Sequence, residues 1–120
     1  MGQPVVHFEI YGKDEKKLQQ FYSELLGWKV DANNPVNYGL VDTGGGRGIN
    51  GGIAHSEPGT PSVTIYIEVD DLQAYLDKVV KMGSRILVPV TEIPGMVTYA
   101  LFSDPEGNAV GLVKGLKVEG

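Results

Sequence analysis

The chain has 120 residues, 42% hydrophobic and 21% charged, a balance that fits one globular domain with a single core. Its net charge of −5 argues against a phosphate-binding basic surface, so no nucleic-acid partner is expected, and no apolar run is long enough to span a membrane. Cysteine is absent, which removes disulfides, thiolate nucleophiles and sulfur-ligated metals and fits a reducing cytoplasm.

The opening MGQPVVHFEI lacks the basic and apolar regions of a signal peptide. Val6 to Ile10 alternate as a strand, with Val6, Phe8 and Ile10 on one face and His7, Glu9 and Tyr11 on the other. Asp14 can cap a helix, and Leu18, Phe21, Tyr22, Leu25 and Leu26 form its apolar stripe, with Phe21 and Tyr22 expected in the core. Gly27 stops the helix, and Trp28-Lys29-Val30 reads as a short strand. The basic cluster Lys13, Lys16 and Lys17 also contains Asp14 and Glu15 and reads as a solvated face.

Asn37 to Val41 read as a further strand, followed by GGGRGINGG. Gly46 to Gly51 satisfy the pattern G-x-G-x-x-G, which needs a helix after it to hold a pyrophosphate. The following residues 52–61 carry two prolines and two glycines and cannot run a helix, so the motif is a bend before a last strand, Ile49 to Ala54. Arg47 on this bend is exposed or reaches an anion. His55 stands beside Ser56-Glu57-Pro58, a linker, where a surface role is expected.

From residue 63 the same order returns. Val63 to Val69 alternate, with Thr64, Tyr66 and Glu68 opposite the apolar face. Asp70 or Asp71 caps a helix whose stripe is Leu72, Tyr75, Leu76, Val79 and Val80, and Gly83 stops it. Arg85 to Val88, Thr98 to Phe102 and Asn108 to Val113 are strands, and Asp104-Pro105-Glu106-Gly107-Asn108 is a strong turn before the last. The chain is therefore β-α-β-β-β written twice, in modules of about 4–55 and 62–115 within one domain over 1–120. Neither half buries enough to stand alone. The fold class is α/β (α+β), and the apolar strand faces are expected under the helices. The mixed faces would line a cleft if the sheet curls.

The strand VVHFEI, the helix QQFYSELLGWKV, the repeat VTIYIEVDDLQAYL and the segment FSDPEGNAVGLV resemble the vicinal oxygen chelate superfamily over nearly the whole chain. That superfamily includes glyoxalase I, extradiol dioxygenases, methylmalonyl-CoA epimerase, and fosfomycin- and bleomycin-resistance proteins. The resemblance implies a curved mixed sheet around a cleft, a small-molecule ligand and a homodimer. Metal-using members place a ligand, His or Gln and then Glu, on the first and last strands of each half. Carried onto this chain, those positions are His7, Gly51 or Gly52, Thr64 and Gly111, so one ligand of four is retained. A divalent metal held by imidazole and carboxylate wants at least three protein ligands. The expectation is no cofactor, with a divalent metal as the alternative.

The expected cleft residues are His7, Glu9, Tyr11, Thr64, Tyr66, Glu68, Gly51 and Gly111, with His7, Glu9 and Glu68 as candidate acid–base groups. The glycines either open the cleft floor for a flat ligand, with Tyr11, Tyr38, Tyr66 or Trp28 to stack on it, or only let strands approach. The functional expectation is metal-independent binding of a small molecule. The alternative is a metal-dependent, lactoylglutathione-lyase-like lyase or isomerase, or a dioxygenase, using His7.

Overall fold

The computed structural model describes residues 2–56 and 60–115. The expected linker residues Glu57 and Pro58 lie outside them. The chain divides into two compact units, one spanning Val6–Thr64 and the other built from Ile65 onward together with the residues through Val5.

The first module runs β1 (Val5–Gly12), α1 (Glu15–Leu26), β2 (Lys29–Asp31), β3 (Gly39–Asp42) and β4 (Gly51–His55). β4 lies parallel to β1 and antiparallel to β3, which pairs with β2. The second module runs β5 (Ser62–Glu68), α2 (Leu72–Lys81), β6 (Arg85–Ile93), β7 (Val97–Ser103) and β8 (Ala109–Lys114). It repeats the pattern, with β8 parallel to β5 and antiparallel to β7, which pairs with β6. The fold class is thus α+β, in two βαβββ modules. A parallel pair needs a crossover, and in each module the helix and two further strands supply it.

Local chemistry sets the helix ends. Asp14 caps α1 by accepting from Lys17 N at 3.1 Å, and Asp71 caps α2 by accepting from Ala74 N at 3.1 Å. The caps fix the repeat offset (71 − 14 = 57) and settle the Asp70-or-Asp71 choice. Gly27 ends α1 in the left-handed conformation that lacks a steric penalty only without a Cβ. In the glycine-rich segment Gly44, Gly46 and Gly48 also have positive φ, and Asn50 Oδ1 accepts from Thr43 N at 3.1 Å across the loop. No helix follows: Gly51 begins a strand.

The second module carries the apolar core: Val69, Leu72, Leu76, Ala100 and Leu112 are buried together. β6 runs to Ile93, beyond the expected Val88, with register shifts on either side of Val88. Pro89 cannot donate to a ladder, and a bulged strand on one side of its module accommodates it.

The first module is built differently under its helix. At offset 57, Leu72 and Leu76 correspond to Glu15 and Gln19. Gln19 is buried and donates Nε2–H to the Ile53 carbonyl at 3.0 Å. A Cβ at Gly39 would meet that amide, so Gly39 makes the room. With an amide facing inward, the expected apolar stripe of α1 is displaced outward: Phe21 is 53% exposed, Leu25 62% and Leu26 49%. The expectation that Phe21 is core is therefore corrected, while Tyr22 is half-buried against Trp28. The expected apolar face Val63, Ile65, Ile67 and Val69 divides: Val69 is buried in the core beside Leu72 and Leu76 with Ile67 packed against it, and the first half is corrected. Val63 and Ile65 are exposed, whereas Thr64 and Tyr66 on the opposite face are buried.

Candidate functional site

In parallel strands, paired residues share a face and neighbours alternate. Glu9 pairs with Gly52, and Phe8 pairs with Gly51. Gly52 therefore shares the face of His7 and Glu9, and Gly51 lies on the other. Of the two glycines the sequence left open, Gly52 is the one on the face of His7, and Gly51 lies on the opposite face. A Cβ at Gly51 would strike the Phe8 ring and carbonyl, so this glycine serves close packing.

The space in front of Gly52 is filled. A Cβ there would fall on the phenol end of Tyr38. Tyr38 is held from behind by Asn34, whose side chain accepts from Tyr38 N at 2.9 Å and donates to Tyr38 O at 2.7 Å. The phenol donates to Glu9 Oε2 at 2.6 Å, and its oxygen lies 2.9 Å from His7 Nε2. Since the phenol proton is committed to the carboxylate, the oxygen accepts Nε2–H of a neutral imidazole. His7 and Glu9 side chains are each 12% exposed, and their nearest atoms stand 4.0 Å apart. Burial holds the His7 imidazole down at about 4, so this contact is no ion pair at neutral pH. Burial, and then the charge and hydrogen bond of Glu9, push the Tyr38 phenol far above its ordinary range.

The second module shows the same device. Tyr66 pairs with Gly111, and a Cβ at Gly111 would strike the Tyr66 ring. Neither the open floor nor mere strand approach describes these two glycines: a tyrosine of the same module stands over each of Gly52 and Gly111. Glu68 is half-buried at the end of β5, and Thr64 is buried. Trp28 is not a stacking surface on the His7 face. It stacks on Tyr22 with centroids 5.4 Å apart and meets Phe8 at 5.5 Å. Tyr11 lines a groove beside α1, and Arg47 is exposed on its bend. His55 lies at the surface, its Nδ1 3.1 Å from the Lys13 carbonyl and 3.3 Å from Glu15 Oε2.

The four positions that the resemblance assigns to metal ligands fit a metal poorly. Thr64 offers a neutral hydroxyl, Gly52 and Gly111 offer no side chain, and tyrosines take the volume above both. Among the described residues, no three His, Asp or Glu side chains converge in a way that could hold a metal ion. Tyr38 and Asn34 are the site residues that sequence reasoning missed in these roles. The asparagine-rich run before Tyr38 was the available signal.

The comparisons agree with the fold. CFP32 of Mycobacterium bovis, provisionally named a glyoxylase, is 35% identical over 108 residues, covering 82% of this chain and 41% of the relative. This chain thus spans about two-fifths of that relative's length. A glyoxalase/bleomycin resistance protein/dioxygenase superfamily member from Vibrio splendidus superposes with a TM-score of 0.66 at 19% identity, over 94% of this chain and 99% of that one. Methylmalonyl-CoA epimerase from Mycobacterium tuberculosis superposes with a TM-score of 0.64 at 15% identity, over 92% and 86%. At these identities the structural likenesses establish fold. The sequence profile named Glyoxalase/Bleomycin resistance protein/Dioxygenase superfamily matches residues 5–112, and the chain belongs to that superfamily.

Proposed function

We propose that this protein binds a small molecule without a metal, on the sheet face that carries His7, Glu9 and Tyr38. The carrying observation is the phenol of Tyr38, which bridges Glu9 and His7 where a metal-using relative would need open coordination sites. Such a unit sets a neutral imidazole and a phenol, already hydrogen-bonded to each other, on a face 12% exposed at His7, where a flat, apolar ligand with one polar edge would lie against them. A homodimer and a cytoplasmic location belong to the same reading. They rest on the superfamily membership and the cysteine-free composition. No helix among the described residues is long and apolar enough to cross a membrane.

A second reading has one observation in its favour. The proton shared by Tyr38 and Glu9, next to a neutral His7, is an arrangement able to move a proton to or from a bound substrate. Glu68 belongs to the other unit. The test is a screen of flat aromatic compounds on chelator-treated full-length protein, followed by NMR of the His7 ring. Saturable binding that moves the His7 signals and is lost in His7→Ala supports the proposal. Binding that requires an added divalent cation overturns it. Turnover of a bound compound, abolished in His7→Ala, selects the acid–base reading.

A further inference from the structure

The outward stripe of α1 borders a second feature that the His7 face does not use. A groove of about 660 Å³ runs beside α1, within the unit Val6–Thr64. Its walls are apolar: Ile10, Leu18, Phe21, Tyr22 and Val63. Two cations, Lys13 and Lys17, stand on its border. Neither ammonium forms an ion pair among the described residues. One acid, Asp14, also lines the groove, where it caps the helix by accepting from Lys17 N, and Glu15 stands 3.3 Å from His55.

The repeat supplies an internal control. The corresponding groove of the second module, between β5 and α2, is about 300 Å³. At offset 57, Lys13 corresponds to Asp70, Lys17 to Ala74, and Gly12 to the buried core residue Val69. One module therefore narrows this space with a core valine and has no charged residue among those lining it. The other kept a glycine, a wider groove and two unpaired cations. In a chain of net charge −5, a cationic border on an apolar groove favours one chemistry: an apolar body with an anionic head.

We propose that the groove between α1 and β1 binds an amphipathic carboxylate, its apolar body on Leu18, Phe21 and Val63 and its carboxylate at Lys13 and Lys17. The site is separate from the His7 face and does not rest on the reading given there.

Trp28 is the chain's one tryptophan and stacks on Tyr22, a wall of the groove, so its fluorescence reports occupancy. The full-length protein is titrated with decanoate, with 3-phenylpropanoate and with decanol. Saturable change with either acid supports the proposal, and their ratio tells an alkyl from an aryl ligand. Lys13→Gln combined with Lys17→Gln should weaken the acids about five- to tenfold and leave decanol unchanged, since hydrogen bonds to charged groups are the stronger ones. Gly12→Val should weaken all three more than about fivefold, because a Cβ at Gly12 comes 2.6 Å from Leu18 Cδ1 and drives that side chain into the groove. Its fold is checked by circular dichroism, and the exposed lysine variant stands in if it fails. His7→Ala should leave acid binding intact.

Three results overturn the proposal. In one, Trp28 does not respond to either acid. In another, acids and decanol bind equally before and after removal of the lysines. In the third, the acids fail while Phe21→Glu disperses a dimer, which makes this face a contact between copies of the chain.

Discussion

Tyr38→Phe is the sharpest test of the polar network. The substitution keeps the ring and removes one oxygen. That oxygen donates to Glu9 at 2.6 Å and accepts from His7 at 2.9 Å, so its loss leaves a carboxylate and an imidazole N–H each one partner short. A hydrogen bond to a charged group contributes about 1.5–3 kcal/mol, so a loss of about 2–3 kcal/mol is expected. For a chain of this size that corresponds to a fall of roughly 10 °C in Tm. Urea unfolding should show a lower midpoint at unchanged m, because the surface exposed on unfolding is the same. A double-mutant cycle with Glu9→Gln should return a coupling of about 1–2 kcal/mol. A loss below about 0.5 kcal/mol, or additive single effects, would refute the reasoning, since exposed and independent groups behave that way.

Gly52→Ala places a methyl on the Tyr38 phenol and Gly111→Ala places one on the Tyr66 ring, so each should cost about 2–4 kcal/mol in urea unfolding. Gly45→Ala, whose new methyl would meet nothing nearer than 3.7 Å, should stay within about 0.5 kcal/mol of wild type. The pH dependence of stability follows from His7. Its folded value of about 4 lies below the ordinary 6.5, so the unfolded chain binds the extra proton in that window. Stability from this group is complete above pH 6.5 and falls as the pH drops towards 4, by at most about 3 kcal/mol. His7→Gln should flatten that slope, and an unchanged slope would remove His7 from the network. Leu76→Ala, at a side chain 1% exposed, should cost about 3–4 kcal/mol, whereas Leu25→Ala on the outer face of α1 should cost under about 0.5 kcal/mol in the isolated chain.

The parts of the fold that short-range chemistry dictates were legible in the sequence. Asp14 and Gly27 bound the first helix because a cap and a left-handed stop are local requirements, and the repeat of both near residue 71 and at Gly83 exposed the duplication. The turn at Asp104 was equally local: its carboxylate accepts from Asn108 Nδ2 and N and from Glu106 N. These bonds, the Asn108 side chain first, hold its carboxyl below the usual range. What failed was orientation. Five apolar residues at helical spacing marked a stripe on α1, but one amide, Gln19, reaching the Ile53 carbonyl 34 residues away, decides which side of the helix faces the sheet. The site failed for the same reason. His7 and Glu9 were readable as one face of a strand, whereas the group that joins them, Tyr38, comes from 29 residues beyond Glu9 and is aimed by Asn34. Periodicity carries no information about such long-range contacts. The choice between Gly51 and Gly52 needed the β1–β4 register, which is also long-range.

The central proposal is that the sheet face carrying the His7–Tyr38–Glu9 hydrogen-bond network works without a metal. It is tested most directly by calorimetric titration of chelator-treated protein with nickel, zinc, iron, manganese and cobalt, beside His7→Ala. The network predicts no tight site that depends on His7. One metal ion bound per chain and lost with His7 would contradict the claim and restore metal-assisted chemistry to this face.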